Sequence, residues 1–254
     1  MRRQRGTGVV LGALCAALAA GAAGCGPGGV GGGGAWPDGS SPAASAAPGK
    51  AVDRLAVTTP GGVRLRPAPD GRTRVSGRVE ARWSHHGGAW VLTLACRDGG
   101  PCDRTPTVEV PPGARVTVSA RDAGIDAAGL TGALRLTTVN GDVTVADLGA
   151  AGAPVSLATR NGSVRATGLA ASSLAASSVN GDVDLDCAHA PASVDAATTN
   201  GSVRLTVPRG APPYTVGAAT GSGQRRIAVP TRQGGPVTLA LRTVNGDVTA
   251  REGP

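Results

Sequence analysis

The residues of this chain that could do chemistry are few and far apart. Cys96 and Cys102 flank Arg97-Asp98-Gly99-Gly100-Pro101. This is not the Cys-x-x-Cys spacing of a redox pair. In an oxidising exterior, two cysteines across such a turn are expected as a disulfide clamping the loop, with a metal site or unpaired thiols as the alternatives. Cys187 is left over and is expected as a free thiol on the inward face of its strand, packed as a small hydrophobe. His85 and His86 are adjacent, so a strand would point them to opposite faces, and His189 lies far along the chain. Asp182, Asp184 and Asp186 alternate with Val183 and Leu185. That spacing sets them on one face of a strand, as a hard-cation site or, more simply, as a solvated outer face. No nucleophile is patterned with a base, and no glycine-rich phosphate loop opens a helix. These residues predict no catalytic, cofactor-binding or metal site, and no enzyme.

The elements that would position any surface group are repeats. Thr137-Thr138-Val139-Asn140-Gly141-Asp142-Val143 recurs as Ala158-Thr159-Arg160-Asn161-Gly162-Ser163-Val164 and Ser177-Ser178-Val179-Asn180-Gly181-Asp182-Val183. It returns as Ala197-Thr198-Thr199-Asn200-Gly201-Ser202-Val203 and Arg242-Thr243-Val244-Asn245-Gly246-Asp247-Val248. The first four asparagines are spaced by 21, 19 and 20 residues. A degenerate copy at 214–229, with Gly221-Ser222-Gly223 at its bend, fills the longer gap before Asn245. Ahead of each Asn, alternate positions hold apolar or small residues, such as Leu134, Leu136 and Thr138, or Leu174, Ala176 and Ser178. After each Asn the third residue is always Val. Period-two alternation on both sides of the bend reads as two strands per repeat.

An Asn-Gly bend by itself reads as a β-hairpin, so a meander of hairpins competes. The short, near-constant period favours an all-β, parallel β-solenoid-like stack of roughly 20-residue coils, in which neighbours bury what one repeat cannot. Such a register sets Arg165, Asp184 and Arg204 side by side as alternating charges. Inward Ala176, Ser178 and Ala196 imply a thin core. Residues 130–254 hold the regular coils, and 50–129 form a less regular β region that begins or caps the stack, with a worn copy at Leu55–Leu65 around Pro60-Gly61-Gly62.

Upstream, Arg2, Arg3 and Arg5 precede an uncharged run from Gly6 to Gly24, the pattern of an export signal, with an uncleaved membrane anchor as the alternative. Ala22-Ala23-Gly24-Cys25 resembles a bacterial lipoprotein signal, which implies lipidation of Cys25, by palmitate among other acyl chains, and removal of residues 1–24; Ala22 stands where Leu is frequent. Residues 25–49 are rich in Gly, Pro, Ser and Ala and are expected as a flexible tether. Loss of Arg2, Arg3 and Arg5 would take the net charge from +8 to +5. With no Phe, one Tyr and three Trp, the chain has no aromatic-interleaved basic groove for nucleic acid.

The lipoprotein-like start together with the repeated Thr-Val-Asn-Gly-Asp-Val and Asn-Gly-Ser-Val-Arg coils resembles the DUF4097 adhesin family of bacterial exported β-repeat proteins. The resemblance runs from about Leu55 to the end. It implies a β-solenoid-like stack on the extracytoplasmic face of the cell membrane and brings no catalytic residues. The Ala, Gly and Arg abundance resembles secreted actinobacterial proteins. The function expected is a non-enzymatic envelope lipoprotein for adhesion, scaffolding or envelope-stress sensing, with an envelope protein or cell-wall polymer as partner. The alternative is a carbohydrate-active β-helix enzyme or a polysaccharide-binding module.

Overall fold

The computed structural model describes residues 52–96, 105–148, 152–235 and 237–253. Every one of them lies within the compact unit Pro42–Pro254. In chain order the strands are β1 (Arg54–Thr59), β2 (Val63–Pro67), β3 (Arg74–Ser76), β4 (Val79–His86), β5 (Ala89–Cys96), β6 (Thr107–Val110) and β7 (Arg115–Ala120). Next come β8 (Ile125–Ala128), β9 (Leu134–Thr137), β10 (Val143–Ala146), β11 (Pro154–Ala158), β12 (Val164–Leu169), β13 (Ser173–Ser177) and β14 (Val183–Cys187). The last are β15 (Ser193–Ala197), β16 (Val203–Val207), β17 (Thr215–Ser222), β18 (Arg225–Ala228), β19 (Thr238–Asn245) and β20 (Val248–Glu252).

Each coil gives one strand to each of two ten-stranded sheets. The first sheet runs β17-β19-β15-β13-β11-β9-β7-β1-β5-β4 and the second β18-β20-β16-β14-β12-β10-β8-β2-β6-β3. Only β3–β6 and β4–β5 pair antiparallel; every other pairing among the described strands is parallel. The stack is therefore a parallel β-solenoid, and the hairpin meander that an Asn-Gly bend would also allow is not formed.

Alternation decides what is buried. Val143, Val164, Val183, Val203 and Val248 lie in register along the second sheet and are wholly buried. Facing them, Leu134, Val155, Leu174, Val194 and Leu239 form a ladder along the first. Both ladders belong to one continuous core cluster. Parallel stacking keeps equivalent residues about 4.8 Å apart, so one apolar position per repeat becomes a continuous apolar spine.

Coil order in space departs from order in sequence at both ends. The last coil, β19–β20, inserts between β15–β16 and β17–β18, so the degenerate copy lies outside the Asn245 copy and does not sit between Asn200 and Asn245. The side chains give the reason. Where the other coils hold an inward Val, the degenerate copy has Arg225, in register with Val248, and where they hold Asn it has Ser222, in register with Asn245. An arginine at an inward position is tolerable only where that face has no further coil on it. At the other end β1–β2 lies between β5–β6 and β7–β8, so the parallel ladder continues through residues 54–128. The antiparallel strands β4 and β3 close this end. β4 and β5 are joined by Gly87 and Gly88, both at positive φ (58° and 76°), as a tight two-residue hairpin requires.

Candidate functional site

The Asn-Gly bends form three continuous columns along one corner of the stack. In the first, each asparagine Nδ2 donates to the Oδ1 of the asparagine one coil nearer the N-terminal end. Asn161 donates to Asn140, Asn180 to Asn161, Asn200 to Asn180 and Asn245 to Asn200, all at 2.8–2.9 Å. Asn140 donates to Asp122 at 2.8 Å. A carboxylate can only accept, so Asp122 fixes the orientation of every amide above it. Backbone bridges join the same asparagines, which makes each one both a side-chain and a main-chain rung.

The second column is glycine. Gly141, Gly162, Gly181, Gly201 and Gly246 have φ of 144–156°. A Cβ on Gly162, Gly181, Gly201 or Gly246 would collide with the carbonyl oxygen of the preceding glycine in the column. In the third column, inward Thr and Ser hydroxyls donate to those same glycine carbonyls. Thr159 reaches Gly141, Ser178 reaches Gly162, Thr198 reaches Gly181 and Thr243 reaches Gly201, each at 2.8 Å. Asn, Gly and Thr thus serve one another across coils, and their polar atoms are consumed by the architecture.

An alternation is superimposed on the columns. The residue after Gly is Asp in one coil and Ser in the next. Asp142 Oδ1 accepts from the Ser163 N–H at 2.7 Å and Asp182 Oδ1 from the Ser202 N–H at 2.8 Å. Their Oδ2 atoms accept from Arg165 (3.3 Å) and Arg204 (3.1 Å). The Ser202 N–H, opposed by burial and helped by the Arg204 guanidinium, holds the Asp182 carboxyl below the usual aspartate range. An aspartate in every coil would line up like charges about 4.8 Å apart. Arg165, Asp184 and Arg204 do lie side by side in register, but both arginines form their ion pairs with the bend aspartates.

This arrangement disposes of the acidic candidates. Asp182 is engaged at the bend, while Asp184 and Asp186 stand exposed on β14, so the three do not converge. Among the described residues no three His, Cys, Asp or Glu side chains lie close enough to hold a metal ion. The His85 ring packs edge-on against Trp90, 5.0 Å between centroids, and His189 follows β14 several coils away. Cys187 is a buried free thiol, its pKa pushed up to about 12, first by burial and then by Asp186.

Two expectations from the sequence fall wholly or partly on residues outside the described part of the chain. Cys96 is disulfide-bonded, and Cys102, the partner the sequence proposes for it, lies outside the described residues. Cys25, the leader 1–24 and the tether 25–49 also lie outside the described residues. The lipid anchor, with its membrane and palmitate features, finds no support in the described part of the chain.

The two outer faces differ in a way that individual motifs do not signal. Outward residues on the second sheet include Arg165, Asp184, Asp186, Arg204 and Arg251. On the first sheet β11 and β13 present only Pro154, Ser156, Ala158, Ser173, Ala175 and Ser177. The neighbouring charges are Arg135 on one flank and an Asp195–Arg242 pair, 2.8 Å apart, on the other. A depression of about 630 Å³ crosses six coils along the first half of these strands and is lined by Arg115, Thr117, Arg135, Ser156, Ala175 and Asp195 among others. Small side chains create it by leaving the backbone near the surface. Its sequence signal is a run of outward Ser and Ala positions, legible only once the register is known.

The Toastrack DUF4097 family model matches residues 114–251, more than half of the chain. No curated protein matches the chain. A crystal structure from Clostridium sporogenes ATCC 15579, described as a putative cell adhesion protein, is similar with a TM-score of 0.37 and 8% identity, over 82% of this chain and 96% of that one. The repeated bends, the parallel stack they build and the family match lead to one identification: this chain belongs to the Toastrack DUF4097 family.

Proposed function

We propose that this protein is a non-catalytic presenting module of the cell envelope, and that the outer face of its first sheet is the surface it presents to an extended cell-wall polymer. The observation that carries the reading is the shallow depression across six coils, lined mainly by small and apolar side chains with Arg115, Arg135 and Asp195 as its charged groups. A long ribbon-like ligand needs a long, flat, sterically open track, and β11 and β13 supply one with hydroxyls at Ser156, Ser173 and Ser177 as hydrogen-bonding groups. An extracytoplasmic location is supported by the basic start and uncharged run of residues 2–24. Adhesion, scaffolding and envelope sensing would all use this same face. A polysaccharide-cleaving reading would need two carboxyl groups converging on a groove, and Asp184 and Asp186 stand exposed on the opposite sheet.

The test is co-sedimentation of the folded protein with purified cell-wall polymer against a heat-unfolded control. The expected result is saturable retention that is lost in Ser156→Glu/Ala175→Glu and kept in Thr144→Glu/Thr249→Glu on the opposite face. Equal retention of both variants, or none by the unaltered protein, would overturn the proposal.

A further inference from the structure

The two ends of the stack are built differently. At the β4/β3 end the outermost strands run antiparallel to the coils, β3 is only three residues long, and β4 carries Glu80 and Arg82 on exposed positions. These are the devices by which natural sheets discourage further pairing. At the other end β18 is likewise short and carries exposed Arg225 and Arg226, but β17 has none of these devices. β17 is eight residues long, Thr-Val-Gly-Ala-Ala-Thr-Gly-Ser, without a charge or a proline. It pairs with β19, and no described strand lies on its other side. Beyond Tyr214, where the returning chain bonds through Pro230 and Arg232, the edge is left open. The carbonyl of Ala218 is met at 3.1 Å by the Arg225 guanidinium.

The core is also left unfinished here. Val216, Ala218 and Ile227 continue the inward ladders but are only partly buried, and they line a cavity of about 430 Å³ together with Tyr214, Arg225 and Arg232. Charge identifies the occupant. From Pro208 to Gly235 the chain has four arginines (Arg209, Arg225, Arg226, Arg232) and no Asp or Glu. A second copy joined end to end would face these arginines with four more, which disfavours self-pairing.

We propose that the C-terminal end of the stack is a strand-addition site for an acidic, extended segment of a partner protein. The segment pairs with the open edge of β17 and turns its carboxylates inward, over the cavity beside Val216 and Ala218, to Arg225 and Arg232. This end is separate from the outer face of the first sheet, so failure of either proposal leaves the other standing.

The experiment measures fluorescence anisotropy of the whole folded protein with three labelled eight-residue probes: alternating Val-Glu, alternating Val-Lys, and the Val-Glu peptide with its valines replaced by proline. The acidic strand-forming probe is expected to bind at least about tenfold more tightly than the other two. Its advantage is expected to vanish in Arg225→Glu/Arg232→Glu, with circular dichroism confirming that the variant is folded. Overturning results are no binding of the Val-Glu probe, equal binding of the lysine probe, or equal binding of the proline probe, which has the same charge but lacks the backbone N–H of every second residue. Concentration-dependent dimerisation through this end in sedimentation analysis would equally overturn it.

Discussion

Asn245 rests on Asn200, its Nδ2 donating to the Asn200 Oδ1 at 2.8 Å, although 45 residues separate the two in sequence. Asn200 in turn donates to Asn180 at 2.9 Å, so it is a shared rung. Replacing it by Ala removes two side-chain hydrogen bonds at once. Asn200→Ala is expected to cost about 1–2 kcal/mol in denaturant unfolding. Asn245→Ala, at the last rung, is expected to cost less.

Gly181 has φ of 152°, and a Cβ there would collide with the Gly162 carbonyl oxygen. Gly210 has φ of 70° with open space around it. Gly181→Ala therefore adds a backbone clash to backbone strain and is expected to cost about 3 kcal/mol or more, whereas Gly210→Ala carries the strain alone, about 1 kcal/mol. Thermal melting of the two variants separates the contributions.

The lowered Asp182 pKa makes a pH prediction. A carboxyl held lower in the folded state than in the unfolded chain contributes stability above the unfolded value, about 3.9, and loses it as pH falls through the lower folded one. The midpoint of urea unfolding is expected to fall between about pH 4 and the onset of acid unfolding. Asp182→Asn, which can still accept from the Ser202 N–H, should be less stable at neutral pH and show a shallower fall.

Cys187 is buried and its thiol is pushed up to about 12, so thiolate is scarce and access is closed. A thiol-labelling reagent at pH 8 is expected to leave Cys187 unmodified in the folded protein and to modify it on unfolding. Labelling at the unfolded rate under native conditions would contradict the packing. Nearby, the Tyr214 hydroxyl is fully buried with no hydrogen-bond partner among the described residues. Tyr214→Phe is expected to leave the melting temperature unchanged or raise it.

Much of this architecture is legible in the repeats because each one states it again. Alternation around Asn-Gly identifies both strands, and the constant period identifies the parallel stack. Thr159, Ser178 and Thr198 were legible only as small inward residues. Their role as donors to glycine carbonyls depends on a neighbour some seventeen residues away in sequence. The exchange of the last two coils escapes a reading along the chain because adjacency in sequence suggests adjacency in space. Arg225 at a valine position is the clue that the degenerate copy needs a free face. The track on the first sheet was hidden for a different reason: it is defined by the absence of charge at Ser156 and Ala175, and it appears only when register sets those positions side by side.

The measurement that bears most directly on the proposed role is NMR shift mapping of the protein with soluble cell-wall polymer fragments. Shifts are expected to concentrate at Ser156, Ser173, Ala175 and Ser193 on the outer face of the first sheet. Shifts centred on Arg165, Asp184 and Arg204 of the second sheet, or no shifts at saturating fragment, would contradict it.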